Sequence, residues 1–172
     1  GVAGIHGKGV VHRTIQPRTV FLDEQGDVRI AGFYRAVEVD SVQMQVPLHP
    51  DDNREFCAPE DEPFNFASDM FSVGVTLFEM ATGKLPDTTS LGRDQLLATI
   101  DDPVKLEVIR FALHADPSKR PTAEQLLQRI TCLAPSSMLE SEFRAQVFAS
   151  MRSGAIGPEA EAKLLRGKLA SQ

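Results

Sequence analysis

Two cysteines are all the chain has, Cys57 and Cys132, and they lie far apart in sequence. Such a pair makes no disulfide framework. It fits reduced, unpaired thiols in a cytosolic domain better than a stapled secreted one. No Cys/His grouping has metal-ligand spacing, so no metal centre is expected. An excess of positive charge is missing too. Lys and Arg number 18 against 24 Asp and Glu, a net charge of −6, and the basic residues are scattered. That excludes the electrostatic footprint of a nucleic-acid or anionic-membrane binder. No apolar run approaches the roughly 20 residues of a spanning helix, so no membrane insertion is expected. A signal peptide is also lacking, but the chain opens on Gly1 rather than Met, which is consistent with a missing upstream piece.

What is present suits one soluble domain with a real core: 172 residues, of which 42% are hydrophobic and 24% charged. The densest charge is acidic, in "DDNREFCAPEDE" from Asp51, and reads as a solvated loop. The opening "GVAGIHGKG" is rich in glycine, but no strand precedes it and Val10-Val11 follows. A phosphate loop needs a strand before it and a helix after it. The stretch reads instead as the tail of a helix ending near Gly7 or Gly9, with glycine available for a left-handed cap.

In "TVFLDEQGDVRIAGF", the β-prone runs Val20-Phe21-Leu22 and Val28-Arg29-Ile30 flank a turn from Asp23 to Asp27 that contains Gly26, which predicts a small hairpin. From Tyr34 to Pro59 periodicity is weak, and Pro47 and Pro50 break any helix. An irregular segment of that length is expected to be functional or disordered.

Helices follow. "SDMFSVGVTLFEMATGKLP" is apolar nearly all round, through Met70, Phe71, Val73, Val75, Leu77, Phe78 and Met80. Such a helix belongs at the centre of a domain. Ser68 or Asp69 is expected to cap its start and Gly83 its end, with Pro86 beyond. "GRDQLLATI" and "DPVKLEVIRFALH" read as amphipathic helices. In "TAEQLLQRI", Thr122 and Gln125 make a capping box. The aromatics Phe64 and Phe66 are expected to face the core.

Beyond residue 132 the pattern changes. "SSMLESEFRAQVFASMR" and "EAEAKLLRGKLA" are helix candidates separated by Gly154, Gly157 and Pro158. Residues 133–172 are expected to form a helical extension or linker, and they carry no visible chemistry.

Five stretches then stand in a telling order: "HRTIQPRTVFL", "VRIAGFYRA", "FCAPE", "SDMFSVGVTLFEMATGKLP" and "ADPSKRPTAEQLL". In order and spacing the chain, over about residues 1–132, resembles the C-terminal lobe of a eukaryotic-type protein kinase of the Ser/Thr kind. The first stretch stands where that family has its catalytic loop, H-R-D-L-x-x-x-N. The second leads into D-F-G, and the third ends in Ala58-Pro59-Glu60, as the family's activation segment does. The implied fold is mainly α, a helical lobe with a small β-hairpin. It is part of an α+β two-lobe domain whose N-terminal lobe is absent from these residues.

The resemblance also assigns roles, and the residues at the chemical positions depart from it. The loop Asp that accepts the substrate proton is Thr14, which cannot act as a base near neutral pH. Loss of a general base alone typically costs about 10²–10⁴ in rate. The Lys that meets the transferring phosphate is Gln16. The Asn that helps hold magnesium is Thr19, a poor ligand for a hard cation. The Asp of D-F-G aligns with Gly32, and the Gly after it is Tyr34. Family chemistry is positioning and charge neutralisation around a phosphoryl group, and these changes remove it.

The frame positions are kept: His12, Arg13, Phe33 where the family packs an aromatic under the ATP site, Asp69 which anchors the loop backbone, and Glu60 with Arg120, a buried ion pair. The resemblance therefore implies a pseudokinase, with no intact catalytic residue. It would be a regulatory or scaffolding module in cytoplasmic signalling that binds protein partners, another kinase or a substrate protein, through the region of "LGRDQLLATI" and the activation segment. No cofactor is expected for this piece; ATP and magnesium would enter only with an active full-length parent. Two rivals stand beside that expectation. One is an active or atypical Ser/Thr kinase with substitute acids, for which Asp23, Glu24 and Asp27 are the nearest in sequence. The other is a truncated, non-functional fragment. The alternative to a plain solvated loop at Asp51 and Asp52 is that they offer Arg13 a fixed negative charge, since "VPLHPDDNRE" carries no hydroxyl to phosphorylate.

Overall fold

The computed structural model describes residues 1–24, 27–39, 54–60, 65–86 and 97–133. Over these the chain is largely helical, with two small antiparallel sheets. In order come α1 (Val2–His6), β1 (Val10–Val11), β2 (Val20–Leu22), β3 (Val28–Ile30), β4 (Val37–Glu38), α2 (Phe66–Thr82), α3 (Pro103–Ala112) and α4 (Ala123–Leu133). Single 3₁₀ turns at Pro17–Thr19, Phe33–Arg35, Arg54–Phe56 and Pro117–Lys119 join them.

The hairpin forms where its β-prone runs predict it. β2 and β3 pair antiparallel in the register Val20 to Ile30 and Leu22 to Val28. Asp23 closes the turn twice: its amide donates to Asp27 O (2.9 Å), and its carboxylate accepts from the Asp27 amide (2.8 Å). The second sheet has no sequence counterpart. Val10 and Val11 pair with Glu38 and Val37, inside a stretch whose weak periodicity suggests only an irregular loop. Two residues are too few to show alternation, so β4 leaves no pattern to read.

α2 lies between two apolar clusters. Phe71, Val75 and Phe78 pack with Phe56, Leu97, Ile100, Ile109 and Leu113. Met70 faces a second group of Val108, Ala123 and Leu126, against which Val2 and Ala3 of α1 rest. A helix with core on both sides has to be apolar nearly all round, and this one is. Two of its buried hydroxyls are satisfied within the helix: Ser72 Oγ donates to Ser68 O (3.2 Å) and Thr76 Oγ1 to Ser72 O (2.8 Å). Gly74 lets α2 approach the end of α3. A β-carbon there would lie 2.8 Å from Leu113 Cδ2 and 3.0 Å from Ala112 Cβ.

The helix ends follow their sequence signals with two corrections. The start of α2 is capped by Asn65, not by Ser68 or Asp69. Asn65 Oδ1 accepts from the amides of Ala67 (2.8 Å) and Ser68 (3.3 Å). Ser68 instead occupies the third position of that turn, its Oγ accepting from the Asn65 amide (3.2 Å), and Asp69 is turned toward the loop of residues 12–19. The capping signal is degenerate here because Asn65, Ser68 and Asp69 are all competent caps within five residues. The second correction concerns α1, which ends at His6 on a right-handed Gly7; the positive φ belongs to Gly9 (+71°) instead. Gly83 closes α2 in the left-handed region as expected (φ +68°). Asp102 caps α3 with Pro103 at its first position. Thr122 and Gln125 exchange hydrogen bonds of 2.8 and 3.1 Å at the start of α4.

Cys57 is half-buried and Cys132 is exposed. No helix among the described residues is long and apolar enough to cross a membrane. Gly26, Asp51, Asp52, Phe64, most of "GRDQLLATI" and residues 134–172 lie outside the described residues.

Candidate functional site

Of the residues singled out by sequence, His12 and Arg13 are held by one buried carboxylate, that of Asp69. Asp69 projects from the first turn of α2 and is 1% exposed. Its Oδ2 accepts from the His12 amide (2.7 Å) and its Oδ1 from the Arg13 amide (2.8 Å). Hydrogen bonds to a charged acceptor are worth about 1.5–3 kcal/mol each. They hold a backbone that would not hold itself: Arg13 has φ +68°, the only positive φ at a non-glycine among the described residues. Such a conformation costs of the order of 1–3 kcal/mol and persists only where its surroundings impose it. One more partner was not foreseen. His6 Nε2 reaches Asp69 Oδ2 at 3.0 Å from the end of α1, with its ring against Phe66 (centroids 4.5 Å apart). The only sequence signal is the spacing of His6 and His12 across the Gly-rich turn. Nothing in that spacing names a partner 63 residues away.

His12 is fully buried. Burial pushes its imidazole below the usual range, against the opposing pull of the Asp69 charge and the Ala31 carbonyl. Its Nε2 donates to Ala31 O (3.1 Å), which leaves Nδ1 to accept from the Thr14 amide (3.3 Å). The ring is thus neutral with its proton on Nε2. Its edge meets Phe33 at 4.6 Å between centroids. Phe33 is otherwise half exposed, and Tyr34 is 64% exposed.

Thr14, Gln16, Thr19 and Gly32 form one connected group. Thr14 Oγ1 donates to Gly32 O (2.9 Å), bridging the loop to the chain that leaves β3. Thr19 Oγ1 turns inward, sharing its proton between Thr14 O (3.0 Å) and Gln16 O (2.9 Å) and accepting from the Gln16 amide (3.1 Å). Thr14, Gln16 and Thr19 are all buried. Gly32 is left-handed (φ +87°). Both threonine hydroxyls are committed to backbone groups, so neither is turned toward a ligand. Of the hairpin acids, Asp23 is paired with Arg29 (2.7 Å).

Glu60 and Arg120 meet in a two-pronged pair. Arg120 Nη2 lies 2.8 Å from Glu60 Oε2 and Nη1 2.5 Å from Oε1. Arg120 also donates to Ala67 O and His114 O and lies over the Phe71 ring. The guanidinium is wholly buried while the Glu60 side chain keeps 24% exposure, so the pair is buried on one side only. Burial works to raise the Glu60 carboxyl, but the Arg120 hydrogen bond and charge, with smaller help from its own amide and Ser68, bring it below the usual range.

A family model for the protein kinase domain matches residues 1–131. Ribosomal protein S6 kinase 2 alpha of Xenopus laevis is 28% identical, over 84% of this chain and 23% of its own length. Mitogen-activated protein kinase kinase kinase 3 of Arabidopsis thaliana is 29% identical, over 83% and 26%. Mitogen-activated protein kinase kinase kinase YODA of the same plant is 32% identical, over 74% and 16%. The chain thus spans about a quarter or less of the length of these curated relatives. With that match over most of its length, the chain belongs to the protein kinase domain family.

Proposed function

We propose that the chain is the C-terminal lobe of a kinase-like domain that has lost phosphoryl transfer and serves as a regulatory or scaffolding module in cytoplasmic signalling. The observation that carries this reading is the use made of Thr14 and Thr19. At the positions that the family resemblance gives to the proton acceptor and to a magnesium ligand, both hydroxyls are spent on backbone carbonyls. Position 32, the other magnesium position, has no side chain. Hard divalent cations take carboxylates, carbonyls and water. A glycine and an inward-turned threonine do not fit that need. Gln16, buried and uncharged, gives no cation for a transferring phosphate. The kept parts, Asp69 on the loop backbone and Arg120 on Glu60, support the frame rather than the chemistry.

A module of this kind acts by contact. Its partners would be proteins, another kinase or a substrate protein, met through the segments around residues 40–60 and 91–100. The acidic balance of the chain argues against nucleic acid. Thermal denaturation of the full polypeptide with ATP, with and without magnesium, beside a phosphate-transfer assay, tests the proposal. The expected result is no magnesium-dependent shift and no transfer. A magnesium-dependent shift accompanied by transfer would overturn it.

A further inference from the structure

We infer that Thr19 and Gly32 are a matched pair: the γ-methyl of Thr19 occupies the volume that any side chain at position 32 would need. A β-carbon at Gly32 would lie 2.8 Å from Thr19 Cγ2, closer than packed carbons approach, and 3.5 Å from Thr19 Cβ. Tyr34 Cε1 would lie 3.7 Å from the same β-carbon. The methyl cannot swing aside. Thr19 is β-branched, which stiffens its first side-chain torsion. Its hydroxyl is held by Thr14 O, Gln16 O and the Gln16 amide.

The two backbones cannot part either. The Ala31 amide donates to Thr19 O (2.8 Å), and Thr14 Oγ1 donates to Gly32 O (2.9 Å). Residues 31 and 32 are thus tied to the loop from both sides of the contact. The consequence reaches beyond the proposed loss of catalysis and does not depend on it. A single Gly32→Asp change cannot place a carboxylate at this position in the present loop; it has to come with a change at residue 19.

A double-mutant cycle on the full chain, read by chemical denaturation, tests the pairing. Thr19→Ser deletes the methyl and keeps the hydroxyl. Gly83→Ala supplies the reference, because Gly83 is also left-handed (φ +68°) and nothing lies within 4 Å of a β-carbon there. It therefore reports the cost of positive φ alone. Gly32→Ala in the unchanged chain is expected to lower the folding equilibrium constant at least ~tenfold more than Gly83→Ala does, as a direct contact should. With Thr19→Ser present, its effect should fall to within ~threefold of that reference. Equal losses from Gly32→Ala in both backgrounds would overturn the inference, as would a loss no greater than that of Gly83→Ala. If Gly32→Ala alone does not fold, recovery of a cooperative transition in the double variant supports the pairing, and failure of the double variant overturns it.

Discussion

Asp69 holds Arg13 by its amide at 2.8 Å, and Arg13 is the one described non-glycine residue with a left-handed backbone. The strain sits on the loop and the restraint on α2, 56 residues away in sequence. Asp69→Asn keeps the size of the side chain but offers one oxygen to two amides, and its NH₂ would face a donor. The variant should lose about 3 kcal/mol or more, since a buried group is left unsatisfied and a charged hydrogen bond is lost. Urea denaturation measures that loss. Amide exchange at His12 and Arg13 should rise with it, and unchanged protection there would show that the loop holds its shape without the carboxylate.

Thr14 is expected to matter for stability and not for transfer. Thr14→Val keeps the shape and leaves Gly32 O without its donor, a loss of about 1–3 kcal/mol. Thr14→Asp sets a carboxylate against the same carbonyl, so it should destabilise more than Val. It should also give no phosphate transfer. Denaturation midpoints of the two variants, with a transfer assay on the Asp form, check the order.

The frame was legible in sequence for a physical reason. A helix with core on both sides must be apolar on both sides, and α2 shows it. The hairpin needs two short β-prone runs and a turn, and all three stand in line from Val20 to Ile30. Caps at Gly83 and at Thr122 with Gln125 are local interactions, so local residues announce them. What was not legible is what arises between distant segments. β4 is two residues long and exists because Val10–Val11 offers an edge. His6 finds Asp69 only after α1 and α2 have packed. The contact of Thr19 with Gly32 is set by a methyl and a missing side chain, neither of which leaves a periodic trace. Composition alone would have made Gly32 another loop glycine.

The two helical glycines among the described residues should respond with opposite signs. Gly4 lies in α1, and nothing stands within 4 Å of a β-carbon there. Gly4→Ala should raise stability by up to about 1 kcal/mol through helix propensity and the unfolded chain. Gly74→Ala gains the same propensity but drives a methyl into buried Leu113 and Ala112. Overpacking costs typically about 1–3 kcal/mol and should win. Melting temperatures of the two variants on one plot show the contrast.

Glu79 is a carboxylate whose charge the fold resists. Burial, and then the nearby charge of Glu55, pushes its carboxyl above the usual range. Its Oε2 is buried with no hydrogen-bond partner among the described residues. Ionisation at neutral pH therefore costs stability, and the cost is relieved as the pH falls through the raised value. Glu79→Gln should stabilise the chain at pH 7, by less than about 1 kcal/mol because solvent screens much of the effect. The gain should vanish in acid, where Glu79 is already neutral. Denaturation at both pH values measures the difference.

Acid should unfold the chain in two stages, set by His12 and Glu60. His12 has its folded value lowered from the usual 6.5, chiefly by burial. Its contribution is complete above that value and erodes as the pH falls below it, because only the unfolded imidazole gains a proton there. Glu60 is lowered from 4.5, with Arg120 and its other hydrogen bonds outweighing burial. The pair's contribution is complete above 4.5 and is lost as the pH falls through the folded value. The contributions of His12 and Glu60 should therefore begin to drop below about pH 6.5 and about 4.5 respectively, against the opposite change at Glu79. Glu60→Gln separates the stages. It should lower stability at pH 7, flatten the curve below 4.5 and leave the slope between 6.5 and 4.5 in place. Urea midpoints from pH 8 to 3 for both proteins give the two curves. A Glu60→Gln curve with the same acid limb as the unchanged chain would show that some other carboxylate governs it.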